Sequence, residues 1–259
     1  MIYDIIQVIQ FEGLFIHPHN ENEATIVYVA ARKKYDSSLA SNIGSMNRTI
    51  VTKKDKLEDI VNSLNTKYFL DNKMLIDEKA LAVYMSINPR NTHKSASTLA
   101  KHIIDSLYEN KTIDYYKIPS KFKTILQSTS TNKIYTVLDV DNKTYYNNVL
   151  DILEIYSIVP YCIIETRGGY HFIIKHENLS NIRKKTDITN KCICSNKIRC
   201  EHIMTFGEYI HKIMITWRHT DAPDKAVIEY LRDGFSPIPG TIQGGFKVKL
   251  LYPIYILTT

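Results

Sequence analysis

Two hydrophobic periods trade places along this chain, and that alternation limits its fold more than any other feature. Lys133 to Val140, Tyr161 to Glu165, Tyr170 to Lys175, Val227 to Leu231 and Phe246 to Ile256 read as strands. Between them, Tyr146, Val149, Leu150 and Leu153 step as a helix. So do Ile203, Phe206, Ile210, Ile213, Met214 and Trp217. Strands interleaved with helices predict an α/β or α+β domain built on mixed sheets. The N-terminal half reads less regularly. Residues 1–35 are expected to be strands, with Ile5 to Phe15 and Ile26 to Val29 as the apolar runs, and residues 36–53 a Ser/Asn/Gly-rich loop. A helix is predicted within Asp55 to Tyr68 and a strand over Ala80 to Ile87, ending at the Asn88-Pro89-Arg90 turn. Ala96, Leu99, Ala100, Ile103, Ile104, Leu107 and Tyr108 then give the clearest helical stripe. Residues 110–130 read as a connection. Two lobes follow, residues 1–130 and 131–259, expected to pack as one compact domain.

The composition narrows the class of protein. A chain of 259 residues with 44% apolar side chains can bury a sizeable core. No apolar run reaches 18 residues, so no membrane partner is expected. The N-terminal MIYDIIQVIQFEGLF has no basic leader and carries Asp4 and Glu12, which points to an intracellular, cytoplasmic chain. A formal net charge of +6 suits a polyanionic partner. The abundance of Asn, Ile, Lys and Tyr suggests an AT-rich genome, with which a viral or plasmid-type origin is compatible.

Three stretches carry chemistry. In Thr136-Val-Leu-Asp139-Val-Asp141, the period of two puts both carboxylates on one strand face. Like charges so placed are stabilised by a hard cation such as Mg2+ or Mn2+. A surface strand followed by a polar turn is the plainer reading. The second stretch is Glu165-Thr-Arg167-Gly-Gly-Tyr-His171-Phe-Ile-Ile-Lys175. Its glycines permit a tight turn, Arg167 can fork onto phosphate, and His171 and Lys175 share a strand face. Together they could cradle a triphosphate, or simply form a hairpin with a buried His. The third stretch pairs Asp221 and Asp224 with Pro237-Ile-Pro-Gly240-Thr-Ile-Gln-Gly-Gly-Phe-Lys247. This Pro/Gly turn could aim backbone N–H groups at an anion.

Between the second and third stretches lie Cys192, Cys194, Cys200 and His202, a small insertion at 190–202 with the ligand types of a structural Zn2+ site. From Lys175 to His202 there are seven Lys/Arg against three Asp/Glu, which fits contact with a phosphate backbone.

The order of these motifs resembles the archaeo-eukaryotic primase superfamily, which includes small catalytic primase subunits and primase-polymerases. Asp139-Val-Asp141 is similar to its Asp-x-Asp/Glu strand. Thr166-Arg-Gly-Gly-Tyr-His171 is similar to its Arg-Gly-x-His motif, with one extra Gly. Asp221 with Ile238-Pro-Gly-Thr241 is similar to its third carboxylate and Pro-Gly turn. The resemblance covers roughly residues 80–252. It implies a primase-type catalytic core that transfers nucleotides from nucleoside triphosphates onto a strand, directed by a single-stranded nucleic-acid template. Asp139, Asp141 and Asp221 would hold Mg2+ or Mn2+, with Asp224 as a substitute for Asp221. His171 and Arg167 would meet the triphosphate, and Lys175 and Lys247 would add phosphate contacts. Any helicase or accessory subunit would be a separate chain. Where several primase families place Arg before the Pro-Gly and His after it, this chain has Pro237 and Gln243. A metal-dependent nuclease and a non-catalytic nucleic-acid-binding module are the alternatives.

Overall fold

The computed structural model describes residues 2–68, 75–129, 133–179, 227–231 and 234–252. These form two compact units. One is built from Met1–Lys133 and Gly234–Leu250, the other from Ile134–Asp233 together with Leu251 and Tyr252.

The first unit is organised by β1 (Glu23–Ala31), which lies between β2 (Ile43–Val51) and β3 (Leu81–Ser86). Nearly every β1 side chain is buried, which explains its continuous apolar run from Ile26 to Ala31. β9 (Phe235–Pro237) extends the sheet beyond β3, and β4 (Arg90–Asn91) pairs with the start of β1. Ile26, Tyr28, Ala30, Ala82 and Tyr84 form one core with Leu126 of helix α4 (Ile118–Ser128), and Phe122 packs against it. Burial beside Tyr84 pushes the Tyr28 hydroxyl up to about 12. Helix α1 (Ile5–Phe15) buries Val8, Phe11, Leu14 and Phe15. Its Glu12 accepts the N–H of Leu57 at 2.7 Å and so caps α2 (Leu57–Ser63).

In the second unit the sheet runs β12-β6-β7-β5-β8. The strands are β5 (Tyr135–Val140), β6 (Cys162–Glu165), β7 (Tyr170–Lys175), β8 (Ile228–Leu231) and β12 (Lys249–Tyr252), whose last two residues belong to this unit. Leu138, Val140, Ile163, Phe172, Ile174 and Ile228 face Val149, Ile152 and Leu153 of helix α5 (Tyr146–Ile155) in one buried cluster. The other sheet face, carrying the odd-numbered residues of β5, is the one that concerns function.

Several expectations are corrected. Ile5–Phe15 is a helix, not a strand: Asp4 accepts the N–H groups of Ile6 and Gln7, a capping signal stronger than the β-branched composition. The Ser/Asn/Gly-rich stretch after residue 36 contains strand β2, an edge strand that pairs through register shifts and needs no apolar alternation. The connection at 110–130 contains α4, which Pro119 opens rather than breaks. Where mixed sheets were expected, every pairing whose register is described is antiparallel: β1 pairs so with β2, β3 and β4. The pairs β3–β9, β5–β7, β5–β8, β6–β7 and the short ribbon β10 (Ile242–Gln243)–β11 (Phe246–Lys247) are antiparallel too. The helical stripe over 203–217 and the strand beyond Tyr252 lie outside the described residues. Among those described, no helix is long and apolar enough to cross a membrane.

Candidate active site

Asp139 occupies the centre of the second sheet. β5 has β7 on one side and β8 on the other, and the register sets His171 and Glu229 directly opposite Asp139. Directly opposed residues of antiparallel strands project to the same face. Leu138 and Val140 take the α5 side, so His171, Asp139 and Glu229 form a polar row across three strands on the other side. His171 Nε2 lies 3.3 Å from Asp139 Oδ1, with the two side chains 8% and 25% exposed. A carboxylate left one-quarter exposed beside a nearly buried imidazole is still reachable from solvent by a cation. Asp141 follows two residues after Asp139, just past the strand end, where its N–H donates to Val227 O at 2.9 Å.

The turn after β6 is pressed against this strand end. Thr166 N–H donates to Gly169 O at 2.9 Å, and Gly169 N–H donates to Thr166 Oγ1 at 3.1 Å. A Cβ on Gly169 would collide with the carbonyl oxygen of Val140 and stand 2.8 Å from the nitrogen of Asn142. The glycine is therefore required by close backbone approach. Lys143 Nζ closes the corner on Glu165 Oε1 at 2.6 Å, and Asn142 accepts both the N–H and the hydroxyl of Thr144 at 2.9 Å. Two motifs some thirty residues apart in sequence thus share one rigid corner, with Arg167 exposed at its tip.

The remaining residues singled out in the sequence are dispersed. Lys175 shares the face of His171 but lies four residues further along β7, about 14 Å away at strand rise. Its Nζ sits 4.8 Å over the Tyr161 ring and 3.5 Å from Glu177. Lys247 belongs to the first unit, with Nζ 5.2 Å over the Tyr3 ring. Asp221, Asp224, Cys192, Cys194, Cys200 and His202 lie outside the described residues. The Pro-Gly turn offers no anion nest through Ile238, Gly240, Thr241 or Gly244, because each N–H donates to a main-chain carbonyl. Gly240, at φ +83°, pins the turn onto α1: Tyr3 and Asp4 donate to its carbonyl at 2.8 and 3.2 Å.

Glu229 is the residue that sequence reasoning missed. The signal was a single carboxylate inside the apolar run Val227-Ile-Glu229-Tyr-Leu231. Among the described residues, no three His, Cys, Asp or Glu side chains are gathered closely enough to share one cation. The row is thus a line of candidate ligands along three strands, not an assembled cage.

No family model matches this chain, no curated protein is similar to it, and no solved structure matches its fold.

Proposed function

We propose that the chain is a metal-dependent nucleotidyltransferase that extends or initiates a nucleic-acid strand on a single-stranded template, as its primase resemblance implies. The observation that carries this reading is the polar row itself: Asp139 flanked by His171 and Glu229, with Asp141 beside it and the Gly169 turn against the same strand end. The donor set fits the cation, since carboxylate oxygens are what Mg2+ and Mn2+ take. Asp139 and Asp141 would hold it, with Glu229 or Asp221 as the third carboxylate. When bound, such a cation would supply activation of the attacking 3′-hydroxyl and neutralisation of triphosphate charge. His171 donates to a phosphate oxygen from a ring oriented by Asp139. Arg167, at the tip of the fixed turn, adds a forked donor on the same side. Lys175, four residues further along β7, supplies a phosphate contact only to a more distant part of the substrate. The Cys192, Cys194, Cys200 and His202 set suits a structural Zn2+, about one per chain by elemental analysis after chelator washing.

One assay tests the reading: primer extension and primer-free synthesis on single-stranded template with Mn2+ and each nucleotide set. Product is expected from at least one set. Cation-dependent degradation of the strand without synthesis makes the protein a nuclease. Strand binding with neither activity makes it a non-catalytic module.

A further inference from the structure

We propose that the tip of the hairpin formed by α3 (Thr92–Tyr108) and α4 is a docking site for single-stranded nucleic acid. Tyr108, Tyr115 and Tyr116 would be its base-stacking platforms and the surrounding lysines its phosphate contacts. Helix α3 was legible in the sequence from its apolar stripe, yet of its 17 residues only Ser95 is buried. α3 packs on α4, so the end of one and the start of the other meet at a single tip. There Tyr108 is 83% exposed, Tyr115 69% and Tyr116 97%, beside exposed Ile104 and Leu107. Three aromatic side chains left in water on one short stretch form a patch that folding does not explain.

The backbone holds this tip firmly. Asn110 adopts a left-handed φ of 54°, and Lys111 N–H reaches back to Ser106 O at 2.9 Å, which closes α3. Asp114 accepts the N–H of Tyr116 at 3.2 Å and pairs with Lys117 at 3.0 Å, fixing the turn Tyr115–Lys117 that leads into α4. The tyrosines are therefore presented by capped elements, which reduces the entropy lost when a base stacks on them.

Charge selects the occupant. Between Thr92 and Lys123 there are six lysines against three acidic residues. Lys111 and Lys117 pair with Glu109 and Asp114, while Lys94, Lys101 and Lys121 make no ion pair among the described residues. Protein interfaces enrich tyrosine but deplete lysine at their centre. Aromatic platforms interleaved with lysines are what single strands bind, because every base offers a π-face and every linkage a phosphate. This site lies apart in sequence from the basic segment after Lys175. It rests on the proposed function only for the strand's role as template.

The test is fluorescence anisotropy of the full chain with labelled oligothymidine and oligouridine, at low and moderate salt. The paired change Tyr115→Ala with Tyr116→Ala should weaken binding at least about tenfold, with the salt slope unchanged. The corresponding Phe pair should bind like wild type, since the ring is kept. Lys101→Ala, Lys117→Ala and Lys121→Ala together should lower the salt slope by about 2, at roughly 0.7 per lysine. Tighter binding of one oligonucleotide names the strand type. A wild-type Kd in the Tyr→Ala pair overturns the proposal, as does unchanged binding with lost self-association, which would make the tip a contact between copies. The failures are separable. A chain that binds strands through these tyrosines but synthesises nothing sinks the nucleotidyltransferase reading alone. One that synthesises, with binding indifferent to the tyrosines, sinks the docking site alone.

Discussion

Two glycine turns in this protein solve the same steric problem for different ends. At Gly169 a side chain would collide with Val140 O, and at Gly240 with Asp4 O. Both glycines let one backbone segment lie against another. What differs is what stands on the far side. Gly240 meets the start of α1, where Asp4 caps the helix and the contacts are main-chain hydrogen bonds. Gly169 meets the end of β5, between Asp139 with its opposed His171 and Asp141. A tight glycine therefore marks close approach and nothing more. Function has to be read from the side chains that the approach brings together.

Substitutions can break or sharpen this contrast. The largest effect is expected at the row itself. Glu229→Ala should cut strand synthesis about a hundred- to a thousandfold if Glu229 completes the carboxylate set, the scale on which charge-stabilising groups act. Asp221→Ala should then cost far less, and the reverse ranking assigns the third carboxylate to Asp221. Next come the glycines. Gly169→Ala and Gly240→Ala should each destabilise by about 2–3 kcal/mol, as forced overpacking does, measured by urea unfolding. Only Gly169→Ala should also lower the kcat of the protein that remains folded. His171→Ala follows, with a loss of about ten- to a hundredfold in kcat/KM for nucleotide and an unchanged single-strand Kd. The smallest effect belongs to Lys143→Ala, whose half-exposed pair with Glu165 is worth about 1 kcal/mol or less. A few-fold activity loss, with Gly169 still docked, is expected.

Legibility in the sequence followed the strength of local period. β5, β7 and α5 could be read directly because their apolar residues alternate or step without interruption and the packed core agrees with them. α1 was mistaken because Ile5, Ile6, Val8 and Ile9 favour strands by composition. Its cap at Asp4 and its buried stripe at Val8, Phe11 and Phe15 decide otherwise. β2 escaped because an edge strand borrows its order from β1 through main-chain bonds that leave no side-chain signature. The pairing of Asp139 with His171 was only half visible. The motifs were there, but which residue faces which is a matter of register, and register is set by the whole sheet. Glu229 was missed for the same reason: nothing in Val227 to Leu231 reveals that β8 lies beside β5.

The most direct test of the central claim is strand synthesis by wild type and by Asp139→Asn on single-stranded template at saturating Mn2+, with circular dichroism to verify the fold. The substitution keeps the shape of the side chain and removes its charge. The expected result is product from wild type and none from a fully folded variant. Equal synthesis by both proteins would contradict it and remove the row across β7, β5 and β8 from the chemistry.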